Sequence, residues 1–271
     1  MSSNQKYALI TGATSGIGYE LAKLFAQDHY NLIIVARSQE ELDRTSADFK
    51  QAYGVEVTTI AKDLFKREAP FEVYEAVKAQ GIQIDVLVNN AGQGQYGEFV
   101  DTDINRELDI VQLNIGAYVV LTKYFLQEMV ARNDGKILNV ASIASKLPGP
   151  LQAVYHATKA FVLSFSEAVR NEIKDTNVTL TALMPGATAT DFFHKAEMED
   201  AKLVREGKLD DPADVAKDGF DALMAGEEKV ISGLKNKVQV AASNVIPDSV
   251  VAENIHKQSA PSQPGERQKQ E

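Results

Sequence analysis

Short apolar runs recur along the chain, and each leads into a longer segment whose apolar positions repeat at helical spacing. The runs at 6–10, 31–36, 84–88, 135–140, 178–184 and 229–231 read as buried strands, and 55–61 alternates and reads as another. After the first run, Ile17, Leu21, Leu24 and Phe25 mark a helix ending near His29. Residues 40–53 form a polar helix with a thin apolar stripe, closed by Gly54, and 70–80 form the next. In 104–130, Ile104, Leu108, Val111, Ile115, Val119, Thr122 and Leu126 predict one long helix facing the sheet. Another spans about 151–174. Asp211-Pro212 supplies an N-cap and a first-turn proline for a helix ending near Gly226. Residues 234–246 are amphipathic.

This alternation predicts an α/β fold: a doubly wound parallel sheet of about seven strands with helices on both faces. There is no internal repeat. One domain is expected over 1–257. Within it, 191–209 is polar and irregular, carries Phe192, Phe193 and Met198, and reads as a lid over a pocket. The tail 258–271 (QSAPSQPGERQKQE) has no apolar anchor and is expected to be disordered.

Composition narrows the function. With 271 residues, 44% of them hydrophobic, the chain can bury one large core. The formal net charge of −10 speaks against a nucleic-acid-binding face and against docking on anionic membranes. The absence of cysteine excludes disulfides and thiolate metal sites. His29, His156, His194 and His256 are scattered, so no metal centre is expected. No basic segment leads into an apolar run at the N-terminus, and no apolar stretch approaches ~20 residues. A cytoplasmic protein is expected.

Three stretches carry candidate chemistry. The first strand runs into Thr11-Gly12-Ala13-Thr14-Ser15-Gly16-Ile17-Gly18. Gly12 permits a tight turn, Gly16 lets the backbone approach a pyrophosphate, and Gly18 lets the helix pack against the strand. The helix N-terminus offers free N–H groups to phosphates. At the end of the second strand, where NAD-binding folds place a carboxylate, the chain has Ala36, Arg37 and Ser38. Without the carboxylate a 2′-phosphate is not repelled, and arginine offers a planar fork for it. This points to NADP(H). Finally, Tyr155 and Lys159 lie one helical turn apart. A phenol titrates near 10, and a nearby ammonium is expected to lower that value, making a proton donor and acceptor. Alone, this spacing is coincidence-prone.

Together these stretches resemble the short-chain dehydrogenase/reductase family in its compact single-domain, Rossmann-like form. The glycine spacing is G-x-x-x-G-x-G, Asn89-Asn90-Ala91-Gly92 matches the NNAG motif, Ser142 lies thirteen residues before Tyr155, and 185–190 resembles PGxxxT. The likeness covers roughly 6–232. It implies a catalytic set of Asn114, Ser142, Tyr155 and Lys159, with Asn114 holding a water in the proton path. Ser145 competes for the serine role; Ser142 is preferred because it lies closer to the strand end. The implied cofactor contacts are Gly12, Thr14, Ser15, Gly16, Ile17 and Gly18, then Arg37, Ser38, Asp63 and Leu64. Asn90, Ala91, Gly92, Tyr155, Lys159, Pro185, Gly186, Thr188 and Thr190 complete them. The expected activity is hydride transfer between NADP(H) and a ketone or secondary alcohol, in a homodimer or homotetramer. The alternative is an NADP(H)-binding sensor or regulatory protein without catalysis, which needs only the glycine turn and Arg37.

Overall fold

The computed structural model describes residues 5–243 and 245–262. In chain order they form β1 (Tyr7–Thr11), α1 (Gly16–Gln27), β2 (Asn31–Ala36), α2 (Gln39–Tyr53), β3 (Val57–Ala61), α3 (Ala69–Ala79) and β4 (Val86–Asn89). Then come α4 (Ile104–Val111), a π-helical turn (Gln112–Gly116), α5 (Ala117–Arg132), β5 (Lys136–Val140), a 3₁₀ turn (Ile143–Lys146), α6 (Ala153–Glu172) and β6 (Thr179–Met184). The chain continues through α7 (Phe192–Lys195), α8 (Lys202–Arg205), α9 (Pro212–Ala225), β7 (Lys229–Ile231), α10 (Leu234–Ser243) and α11 (Asp248–Ser259).

All seven strands are parallel, in the order β3-β2-β1-β4-β5-β6-β7. Leu9 of β1 lies beside Ile33 on one side and Leu87 on the other. Side chains alternate across a strand, so neighbouring residues serve opposite faces. Ala8, Ile10, Leu32 and Ile34 pack with Leu21 and Phe25 of α1, Phe49 of α2 and Val215 and Leu223 of α9. Leu9, Ile33 and Leu87 pack on the other face with Val73 and Val77 of α3 and Leu121, Phe125 and Met129 of α5. Burial on both faces explains why the strands read as continuous apolar runs rather than as alternating ones. Each fully buried leucine or isoleucine contributes about 1.5–3 kcal/mol. The winding direction reverses between β1 and β4, and in such sheets ligands bind in the crevice at the carboxyl ends of the strands there.

Three expectations need correction. Residues 104–130 are two helices joined by a π-turn. A π-turn inserts an extra residue into the helical repeat. The first half of the predicted stripe therefore does not share a face with the second: Ile104 and Leu108 are exposed, while Ile110 is buried. The C-terminal region holds a further helix, α11. Residues 258–262, assigned to the tail, finish α11 and clasp the lid. Lys202 N–H donates to the Ala260 carbonyl at 3.0 Å, Ser262 N–H to Asp200 at 2.8 Å, and Ala201 bridges to Pro261. Backbone bonding holds this segment, so no apolar periodicity announces it. The rest of the tail, 263–271, lies outside the described residues. The predicted lid folds as α7 and α8 around a small cluster of Phe193, Ala196, Met198 and Ala201.

Candidate active site

A cavity of about 1030 Å³ opens at the reversal point. Its floor begins at the glycine turn. Gly12 and Gly16 adopt φ of 68° and 55°, conformations open to glycine and costly for other residues. A Cβ on Gly16 would sit 2.8 Å from Thr190 Cγ2. Asn90 braces the turn: its Nδ2 donates to the carbonyls of Thr11 (2.9 Å) and Gly12 (3.2 Å). In return, Thr11 Oγ1 accepts from the N–H groups of Asn90 and Ala91, both at 3.0 Å. Ser15 precedes α1 without a side-chain cap, so the first N–H groups of α1 are left for a ligand.

At the β2 end, the Arg37 guanidinium lies 5.5 Å from the Phe65 ring centre, and Arg106 lies 5.0 Å from the same ring. Ser38 caps α2, accepting from Glu41 N–H at 3.2 Å. The Glu41 carboxylate accepts from Thr14 Oγ1 at 3.2 Å. Asp63 closes a local turn by accepting from Phe65 N–H at 3.3 Å. Phe65, Glu41 and Arg106 carried no motif signal. Their places here arise from the tertiary fold, although Phe65 directly follows Asp63-Leu64.

At the other end stand Ser142, Tyr155 and Lys159. Ser142 follows β5; its Oγ accepts from Ala144 N–H at 3.1 Å and hydrogen-bonds to Tyr155. Ser145 does not line the cavity; its hydroxyl donates to the Lys159 carbonyl at 2.8 Å. Lys159 is 3% exposed, donates to the Val140 carbonyl at 2.8 Å, and sits 5.8 Å from the Tyr155 ring centre. Burial pushes the Tyr155 phenol up to about 12, and the Ser142 hydrogen bond pulls it back in part. Tyr155 keeps an edge open to the cavity. Burial also draws the Lys159 ammonium down to about 7. The phenol here is raised rather than lowered, with burial the largest cause. His156 lines the cavity, holds Leu147 through Nδ1 at 2.8 Å, and is kept below its ordinary value by burial.

Asn114 is fully buried behind the cavity wall and does not line the cavity. Its Oδ1 accepts from Gln93 N–H at 3.1 Å, and its Nδ2 donates to the Gln93 carbonyl and to Thr158 Oγ1, both at 2.9 Å. Both amide hydrogens are thus spent on fixing the 92–93 backbone and the Tyr155 helix. The remaining predicted residues converge on the cavity: Gly12, Thr14 to Gly18, Arg37, Ser38, Asp63, Leu64, Asn90 to Gly92, Pro185, Gly186, Thr188 and Thr190 all line it. The lid closes over it, with Phe192 4.9 Å from the Tyr155 ring. Among the described residues no cluster suited to a metal ion occurs, and no helix is long and apolar enough to cross a membrane.

Fold and site together define a dinucleotide-binding α/β protein with a buried Ser-Tyr-Lys group at one end of its crevice. The chain belongs to the short-chain dehydrogenase family, whose model matches residues 6–201. A very-long-chain 3-oxoacyl-CoA reductase of Anas platyrhynchos is 36% identical over 190 residues, 68% of this chain and 60% of the relative. The uncharacterized oxidoreductase YvrD of Bacillus subtilis is 37% identical over 187 residues, 69% and 70% of the two chains. This chain spans about 60% of the length of the reductase it matches. A short-chain dehydrogenase from Sphingobium yanoikuyae in complex with NADPH superposes with a TM-score of 0.79 at 26% identity, covering 89% of this chain and 96% of that one. The L-sorbose reductase of Gluconobacter frateurii, complexed with NADPH and L-sorbose, gives a TM-score of 0.75 at 26% identity, covering 85% and 96%.

Proposed function

We propose that this protein is an NADPH-dependent carbonyl reductase, working reversibly on a ketone and its secondary alcohol. The observation that carries the reading is the convergence of Ser142, Tyr155 and Lys159 on the cavity that the glycine turn also lines. The residues suit the cofactor: glycines where a Cβ would collide, uncapped N–H groups at α1, and Arg37 braced on Phe65 where a 2′-phosphate would reach. Two of the similar structures hold NADPH. Bound NADPH supplies the hydride.

The chain's own groups manage the oxygen. As the carbonyl carbon is reduced, negative charge builds on the oxygen, and Ser142 donates a hydrogen bond to it where that charge develops. Tyr155 passes its proton to the same oxygen, giving the alcohol. A phenol held near 12 keeps its proton until an oxyanion of higher basicity forms beside it. Lys159 steadies the tyrosinate left behind, and Asn114 fixes the wall against which these groups are aligned. In reverse, tyrosinate takes the alcohol proton. Replacing Tyr155 by Phe is expected to lower kcat about 10²–10⁴-fold while NADPH still binds within about threefold of wild type by fluorescence titration. Unchanged turnover would refute the reading.

A further inference from the structure

Tyr118, in the first turn of α5, carries no motif signal and is 1% exposed. It packs with Ala141, just past β5, and with Val162 and Leu163 of α6. Its hydroxyl donates to the Val140 carbonyl at 3.3 Å, and the Lys159 ammonium donates to the same oxygen at 2.8 Å. The ammonium lies over the Tyr118 ring, 5.6 Å from its centre, and 5.8 Å from that of Tyr155. Both rings are within the reach of a cation–π contact.

A buried tyrosine needs one hydrogen-bond partner, and the Val140 carbonyl supplies it. The ring's place under the ammonium is a separate feature, and it answers a need of Lys159. An ammonium has three donors, of which Val140 takes one. Burial draws it down to about 7, and burial is the one cause of that shift. In so dry a place the negative face of an aromatic ring is worth most to a cation. Tyr155 faces the same cation but is engaged in proton transfer, so the Tyr118 ring is the part of this setting that stays constant. Asn114, four residues earlier, donates to Thr158 Oγ1 at 2.9 Å. Asn114 and Tyr118 therefore hold consecutive residues of α6, Thr158 and Lys159.

We propose that Tyr118 is a positioning residue of the active site: its ring face seats the Lys159 ammonium beside Tyr155 and keeps it in the charged form. This rests on the reductase reading above and adds a residue to its machinery. Without the ring, the buried cation keeps only Val140 and the Tyr155 ring, and it gives up its proton at lower pH.

The test compares Tyr118→Phe, which keeps the ring, with Tyr118→Leu, which removes it; Tyr118→Met replaces the leucine variant if that one does not fold. Thermal unfolding of the cofactor-free protein from pH 4.5 to 9 follows the ammonium without any substrate. The folded value of Lys159 lies below the unfolded one, so stability rises with pH above the folded value. That rise should begin about 0.5–1.5 pH units lower in Tyr118→Leu than in wild type, the worth of a desolvated cation–π contact. In Tyr118→Phe it should stay within about 0.3 units of wild type. In a Lys159→Met background, Tyr118→Leu should leave the pH dependence unmoved. An unmoved onset in Tyr118→Leu, an equal shift in Tyr118→Phe, or a shift that persists without Lys159 overturns the assignment. Turnover supplies the second readout, as kcat/KM from NADPH consumption on a ketone that wild type reduces. Tyr118→Leu should lose about 3–30-fold at pH 8 and less than about threefold at pH 5.5, as the charged fraction of Lys159 dictates. Equal losses at both pH values mean a merely structural role and overturn it. A wild type that consumes no NADPH across a ketone panel would sink the reductase reading, while the unfolding curves would still decide whether Tyr118 seats the ammonium.

Discussion

The buried Lys159 ammonium allows a prediction that needs no substrate. Replace it by methionine and measure the stability of the cofactor-free protein. The side chain is 3% exposed; its ammonium donates to the Val140 carbonyl at 2.8 Å and lies 5.6 Å from the Tyr118 ring centre and 5.8 Å from that of Tyr155. Burial draws its pKa from 10.5 to about 7. At about 1.4 kcal/mol per pH unit, holding it charged costs the fold roughly 4–5 kcal/mol at acidic pH. Methionine removes that cost but takes the lysine donor from the Val140 carbonyl, which returns about 1–3 kcal/mol. The net gain below pH 7 is then about 1–4 kcal/mol, or roughly 2–8 °C in Tm for a chain of this size. The sign of the pH dependence follows from the direction of the shift. The folded value lies below the unfolded one, so between about 7 and 10.5 the unfolded chain binds more protons. Wild-type stability therefore rises across that window, and the variant's advantage shrinks. Thermal unfolding followed by circular dichroism at pH 6 and pH 9.5 reads this directly. A Tm difference independent of pH, or a variant less stable than wild type at pH 6, refutes the reasoning.

Two further outcomes test other parts of the site. Arg37→Asp should weaken NADPH binding about 10–100-fold, the worth of a lost charge-assisted contact, and change NADH affinity by less than about threefold. Equal losses in fluorescence titrations would remove Arg37 from 2′-phosphate recognition. Asn114→Ala strands the Gln93 N–H and carbonyl, while Thr158 keeps its bond to the Tyr155 carbonyl, so it should destabilise the fold by about 2–4 kcal/mol in urea titrations. A loss under about 1 kcal/mol would mean that this network is not holding the wall.

What could be read from the sequence divides along physical lines. The strands were legible because a parallel sheet buried on both faces demands unbroken apolar runs, and β2 matches its run at 31–36 to the residue. The glycine turn was legible because Gly12 and Gly16 occupy conformations that punish a side chain. The π-turn at Gln112–Gly116 was not, since its one-residue slip leaves the local composition unchanged. Nor was the electrostatic state of Tyr155. Spacing shows that Lys159 is near, but only the packed structure shows that burial raises the phenol. Gln152, just before α6 and three residues from Tyr155, carried no motif signal. The strap at 258–262 left no trace, because hydrogen bonds rather than periodic apolar positions hold it.

These irregularities share one location. The π-turn brings Asn114 to the Gln93 backbone, the left-handed Leu151 carries Gln152, and the two glycines with positive φ open the floor beneath α1. Lys159, charged and buried, stands among them. Each costs stability on its own, by strain, an unpaired donor or a desolvated charge. Sheet packing elsewhere is regular, with unbroken apolar layers on both faces. Around this cavity stand groups that a bound molecule would satisfy: uncapped N–H groups at one end and the unpaired Gln152 amide at the other. Ligands that meet both ends should therefore stabilise this protein more than the cofactor does alone, by the margin their differential binding supplies.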